Sequence, residues 1–380
     1  MLTDRRINIE LSDYRVIESH PQSRVSNSQP HGIGRVTAFD DLVAVNNLGR
    51  NIVLMDAASD TLTPLAKFDE TIFPDDEMSQ FDLDMHALLP CRSNQAILAV
   101  NHYGRARLLH LPAGHSLTKT GGTPLPLEER HVFQMPGDIE QFHMLDTNLI
   151  SGSAKGYQVP DPPVDGILAF VRIASAGQAA NPLLYKAYFS DWGSTTALAV
   201  DKDCKHLAVA FGKRLALTAL VHNENNEVVP GDIVFETQLD FVIRFLEFGA
   251  DWTTLIAAGH AAGTGQGEQD WDELEGGGWA RLERSGRVTA CGDFEEKLAW
   301  GNGAETVVIF QDKRTLLAVD KWAGLTAIDT ETGTARKLVA PYPQQTKPLG
   351  LAHASMSRHG LFVGFNRDGY RLHRYRIKAT

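Results

Sequence analysis

The chain has 380 residues, 43% of them hydrophobic and 22% charged. That is too long for one ordinary core of ~150 residues and too apolar for the disordered or low-complexity classes. A formal net charge of -11 disfavours general affinity for nucleic-acid phosphates or anionic membrane, so neither is expected as a partner.

No apolar run approaches the ~20 residues of a membrane span. The opening stretch MLTDRRINIELSDY has no apolar signal core, and the 3 Cys show no CxxC spacing. The expectation is a cytoplasmic protein without a disulfide framework or zinc knuckle. With 33 Gly against 17 Pro and many short apolar runs, the reading is all-β.

The first element is an isolated strand pattern, INIELSDYRVIE, within residues 5–18. A repeated sentence follows: an apolar strand, a polar turn, a second strand. Copies are LVAVNNLGRNIVLMD (Leu42 to Asp56), ILAVNHYGRARLLHL (Ile97 to Leu111) and LISGSAKGYQ from Leu149, which resumes at ILAFVRI after the insert VPDPPVDG. Next come LAVAFGKRLALTALV (Leu207 to Val221) and a less regular fifth copy between Phe241 and Phe294. The last two are LLAVDKWAGLTAIDTETG (Leu316 to Gly333) and LFVGFNRDGYRLHRYRI (Leu361 to Ile377). Turn glycines such as Gly49, Gly104, Gly324 and Gly369 stand where positive φ is expected.

A spacing of about 40 to 55 residues is that of four-stranded propeller blades. Tandem β-sandwiches would need a linker near the middle, and none is found. The reading is therefore a single domain over 1–380, a seven-bladed β-propeller closed by an N-terminal strand. The last copy supplies only about three strands, so residues 5–18 are expected to complete its blade and remove an open edge. Arg367 to Lys378 is expected as a closing strand whose outer edge is solvated by charge. With IDTETGTARKL (Asp329-Thr330, Thr332-Gly333) as the nearest strand-turn-strand signature, the arrangement resembles the WD40-like and YVTN-like seven-bladed β-propellers over nearly the whole chain.

Candidate chemistry gathers at the first strand of each blade, which lines a propeller's channel. His86 (FDLDMHALLP), His143 (IEQFHMLDT) and His353 (PLGLAHASM) align near equivalent places, with Thr196, Arg244 and Thr306 at that register in other copies. His31 in QPHGIGRV joins from a preceding loop. Converging imidazoles would hold one transition metal ion; structural histidines linking blades explain the same pattern. Asp82, Asp84 and His86 share one face if their segment is a strand, where Asp84 would serve as a general base, although the neighbouring acidic run favours a solvated loop. The Gly-rich insert 261–278, with Trp271, is either a lid or a mobile excursion.

Two functions remain. One is a binding module presenting channel-mouth loops to a protein or small-molecule ligand. The alternative is an enzyme (a metal-dependent hydrolase, lyase or oxygenase) using His86, Asp84 and Arg244 at a channel site.

Overall fold

The computed structural model describes residues 7–15, 35–47, 51–59, 62, 64–68, 85–91, 96–101, 105–110, 125–134, 139–145, 148–153, 168–172, 183–185, 195–249, 253–261, 277–294, 307–320, 322, 324–339, 351–365 and 371–379. They form strands and turns, with no helix among them. In particular, no helix is long and apolar enough to cross a membrane.

The chain opens with β1 (Ile7–Arg15). A meander follows of β2 (Arg35–Phe39), β3 (Leu42–Asn47), β4 (Asn51–Asp56) and β5 (Pro64–Phe68). The second sheet begins with β6 (Met85–Cys91), β7 (Ala96–Asn101) and β8 (Arg105–His110). The chain then returns to the first sheet, where the two-residue β9 (Leu125–Pro126) pairs in parallel with β5, before β10 (Glu128–Gln134) completes the second. β11 (Ile139–Leu145), β12 (Asn148–Ser153), β13 (Leu168–Arg172) and β14 (Leu183–Tyr185) make the third. The fourth contains β15 (Ala197–Val200), β16 (His206–Phe211), β17 (Arg214–His222) and β18 (Val228–Gln238). The fifth contains β19 (Phe241–Phe248), β20 (Thr254–Ala261), β21 (Gly278–Glu283) and β22 (Val288–Asp293). β23 (Val307–Ile309), β24 (Thr315–Val319), β25 (Leu325–Asp329) and β26 (Ala335–Val339) form the sixth. In the last sheet β27 (Leu351–Ser357), β28 (Gly360–Phe365) and β29 (Arg371–Ala379) are joined by β1.

This is a β-propeller arrangement. Six sheets have the four-stranded form expected from the repeat spacing, and the sheet begun by β2 departs from it through its fifth strand, β9. The first strands of successive sheets touch: β2 with β6, β6 with β11, β11 with β15, β15 with β19, β19 with β23, β23 with β27, and β27 with β2.

Stacking sheets face to face explains why the second strands read as unbroken apolar runs instead of alternating. In β16, Leu207, Val209 and Phe211 pack with Leu168 and Phe170 of the third sheet, while Ala208 and Ala210 pack with Phe241 and Ile243 of the fifth. β16 thus offers large residues to one interface and alanines to the other. Each fully buried Leu, Val or Phe contributes about 1.5–3 kcal/mol. The outer strands β22 and β26 are mostly exposed and accordingly polar.

The last and first sheets meet across a polar seam as well as an apolar one. Val36, Val43 and Met55 pack with Phe362 and Leu372. Ser355 Oγ accepts the Ala38 N–H at 2.9 Å. Asp41 pairs with Arg358 and, at 2.5 Å, with His359 Nε2. These partners, Arg358 first, hold the Asp41 carboxyl down at about 2 from an ordinary 3.8.

One sequence expectation changes here. β29 is no solvated edge, because β1 pairs with it over nine residues and Leu372, His373, Arg374 and Tyr375 are buried. Of the insert expected over 261–278, Ala261 ends β20 and Gly278 opens β21; Trp271 lies outside the described residues. The turn at Gly324 is closed by Asp320 Oδ1, which accepts the N–H groups of Trp322 and Gly324, each at 2.8 Å. Gly333 does have φ +72°, and beside it Asp329 Oδ1 caps the Glu331 and Thr332 N–H groups, which accounts for the IDTETG signature as turn chemistry.

Candidate functional site

Five of the first strands, β6, β11, β15, β19 and β27, carry an irregularity near their beginnings. In β6, Met85 pairs with Asn101 and Ala87 with Val100, leaving His86 as an extra residue. Glu140 in β11, Arg244 in β19 and Ala352 in β27 are extra in the same way. Before β15, the Thr196 N–H donates to Ala210 O at 2.8 Å although Ala197 already opposes Ala210, again two residues against one. These are β-bulges, which bend a strand and re-aim a side chain at a sheet's rim.

The bulges decide which candidates stand together. His86, Thr196 and Arg244 occupy one register, one in each of three sheets. His353 comes one residue after its bulge, and His143 three after its own. The three imidazoles therefore do not share a single register. His353 is buried in β27 opposite Gly364. His86 and His143 are placed by their backbones. His31, Asp82, Asp84 and Thr306 lie outside the described residues. Among the described residues no three His, Cys, Asp or Glu side chains gather as a metal-binding set.

Around Arg244 the geometry is built closely. Its Nε donates to His260 Nε2 at 3.4 Å, and His260 Nδ1 donates to Ala261 O at 2.7 Å. Burial holds the His260 pKa below its ordinary value, and the Arg244 charge adds to that effect. A neutral imidazole with its proton on Nδ1 leaves Nε2 as the acceptor that a guanidinium needs. The bulge also presses β19 onto β20. A Cβ on Gly259 would lie 1.8 Å from Val242 O, so only glycine fits opposite the bulge. Thr196 is fixed by a second route: its Oγ1 accepts the Gly212 N–H at 3.1 Å, and Gly212 O accepts the Ile243 N–H at 2.8 Å. The Thr196 and Arg244 bulges are thus tied through one turn.

At the corresponding end of the first sheet, Asn46 sits opposite Arg35 with its side chain fully buried and neither amide atom partnered. A buried amide without partners is costly and needs an explanation. Sequence reasoning missed Gly259, His260 and Asn46. The available signal was a glycine interrupting the apolar run TLIAAGHA, a mark of close backbone approach.

No protein-family model matches the chain, and no curated protein matches it.

Proposed function

We propose that the chain is a seven-bladed propeller closed by β1, working in the cytoplasm as a binding module whose site is the mouth of the central channel. The cyclic order of first-strand contacts and the Asp41 seam support a closed ring. Cys204 and Cys291, exposed and not joined in a disulfide, fit a reducing compartment. The ligand, a protein or a small molecule, presents an anionic group. The observation that carries this reading is the shared bulge register of His86, Thr196 and Arg244, with the Arg244 guanidinium oriented by neutral His260. A cation held at a ring opening attracts anions even on a chain of net charge -11.

The second reading is an enzyme (hydrolase, lyase or oxygenase) with one transition metal ion held by histidines of the first strands. His86 at the Arg244 register is what favours it.

Metal analysis of protein purified without a His tag separates the two. Near-stoichiometric metal, lost in the His86→Ala/His143→Ala double variant, supports the enzyme. For the binding module, citrate raises the melting temperature of the wild type and leaves Arg244→Ala unmoved; an equal shift in both sinks the assignment of Arg244.

A further inference from the structure

The fourth and fifth sheets also meet at the end of β16 remote from the channel mouth. β16 runs from His206 to the Gly212 turn, which joins Thr196 to Ile243 at the mouth. At its beginning, alternation along the strands turns Asp201, His206 and Arg284 into the seam between the sheets. Asp201 follows Ala197 and Ala199, His206 precedes Ala208 and Ala210, and Arg284 follows Ala280 and Leu282. Those six apolar residues all belong to the core between these two sheets. Asp201 is buried, and its carboxylate is fully used. Oδ1 accepts the Lys205 and His206 N–H groups at 2.6 and 3.2 Å, and Oδ2 lies 2.7 Å from His206 Nδ1. A carboxylate only accepts, so the ring proton is on Nδ1 and Nε2 carries the lone pair. Arg284 Nη2 lies 2.5 Å from Nε2 and 2.6 Å from Nδ1, and Nε2 is the ring atom able to accept from it.

A neutral imidazole thus bridges a buried anion of one sheet to an exposed cation of the next. Protonating Nε2 removes the acceptor and sets two cations against each other. Asp201 keeps its hold on the ring, as an ion pair within the fourth sheet. Arg284, exposed in the turn between β21 and β22, is free to move into water. The other charges around the ring stand outside the bridge. Lys202, Asp203 and Lys205 are exposed in the turn before β16, and β17 places uncharged Ala219 opposite His206. On the fifth sheet Glu283 pairs with Arg287, and Glu247 pairs with Lys313 of the sixth. We propose that His206 is a proton-operated tie: neutral, it holds the β21–β22 turn to the fourth sheet, and protonated, it releases Arg284 and loosens that seam. Imidazole ordinarily changes charge between pH 5 and 8. The release is local, because Gly286 of the same turn stays packed on the Phe235 ring.

The test is the urea midpoint of Arg284→Met protein against its parent, at pH 8 and at pH 5. In the wild-type background the substitution lowers the midpoint by roughly 0.3 M at pH 8 and leaves it nearly unchanged at pH 5. In a His206→Gln background the side-chain amide can bridge the same two partners without titrating, and the loss is equal at both pH values. Comparing each variant with its own parent at one pH cancels the other titrating groups. No loss at pH 8, or an equal or larger loss at pH 5 in the wild-type background, overturns the proposal. So does a pH dependence that persists in the His206→Gln background. The wild-type comparison changes one exposed side chain, and it decides the matter alone if His206→Gln protein fails to fold.

Discussion

Replacing Arg374 by Met tests the seam between the last and first sheets most directly. Arg374 is 1% exposed, and its guanidinium reaches across that seam. Nη1 donates to Ser59 O at 2.6 Å, Nε donates to His359 O at 3.3 Å, and the guanidinium carbon lies 5.6 Å from the Phe362 ring centroid. Methionine keeps much of the apolar stem and removes the charge. Each lost charge-assisted bond costs about 1.5–3 kcal/mol, with the longer one at the low end, and strands a carbonyl. The lost cation–π contact adds ~1 kcal/mol in this desolvated position. Relief from burying a cation returns part of this, a few kcal/mol. The balance is a loss of about 3 kcal/mol, read as a lower urea midpoint at unchanged m-value. A double-mutant cycle with Phe362→Leu isolates the ring contact, with an expected coupling of about 1 kcal/mol. Arg374→Met protein as stable as wild type would refute the reasoning, because the desolvation cost would then outweigh everything the guanidinium holds together.

Other consequences follow from the same contacts. Because the Asp41 carboxyl is depressed to about 2 in the folded chain, its contribution is complete above its ordinary 3.8 and is lost as the pH falls from there toward 2. Urea midpoints measured across that window should drop less for Asp41→Asn than for the wild type, and the difference should be small because the pair is exposed. Gly259→Ala forces a methyl to within 1.8 Å of Val242 O and should cost ~3 kcal/mol or more, whereas Gly212→Ala, at φ +61° with open space around it, should cost about 1 kcal/mol. Thermal melts of the two variants side by side check the contrast; similar losses would mean that the bulge does not require glycine. Deleting residues 1–18 removes the strand that covers β29 and should give a poorly soluble, early-melting protein, while a truncated chain melting with the wild type would show that β1 is dispensable.

Much of the strand plan was legible in the amino-acid order. LAVAFGKRLALTALV reads as β16, a turn and β17 because both faces of an inner strand are buried and both must therefore be apolar. The site was less legible. Alternation along a strand counts residues in twos, and an inserted residue leaves no mark in that count. The alignment that brought His86, His143 and His353 together took no account of bulges. That alignment already set Thr196 and Arg244 at the register of His86; the bulges add that His353 and His143 fall one and three residues further along their strands. Likewise β9 is only Leu125–Pro126, too short for any periodicity, and is a strand only because the edge of β5 is beside it.

The order of residues alone determined an all-β chain, its repeated strand-turn-strand units and the apolar runs that fill the interfaces, because those follow from local turn chemistry and from the need to bury two faces. Only the tertiary structure decided that Arg374 of β29 is buried, that position 259 must be glycine opposite the bulge at Arg244, and that Trp279, Thr326 and Ile328 line one crevice. Those relations join segments far apart along the backbone, and they depend on the angle and distance at which whole sheets meet.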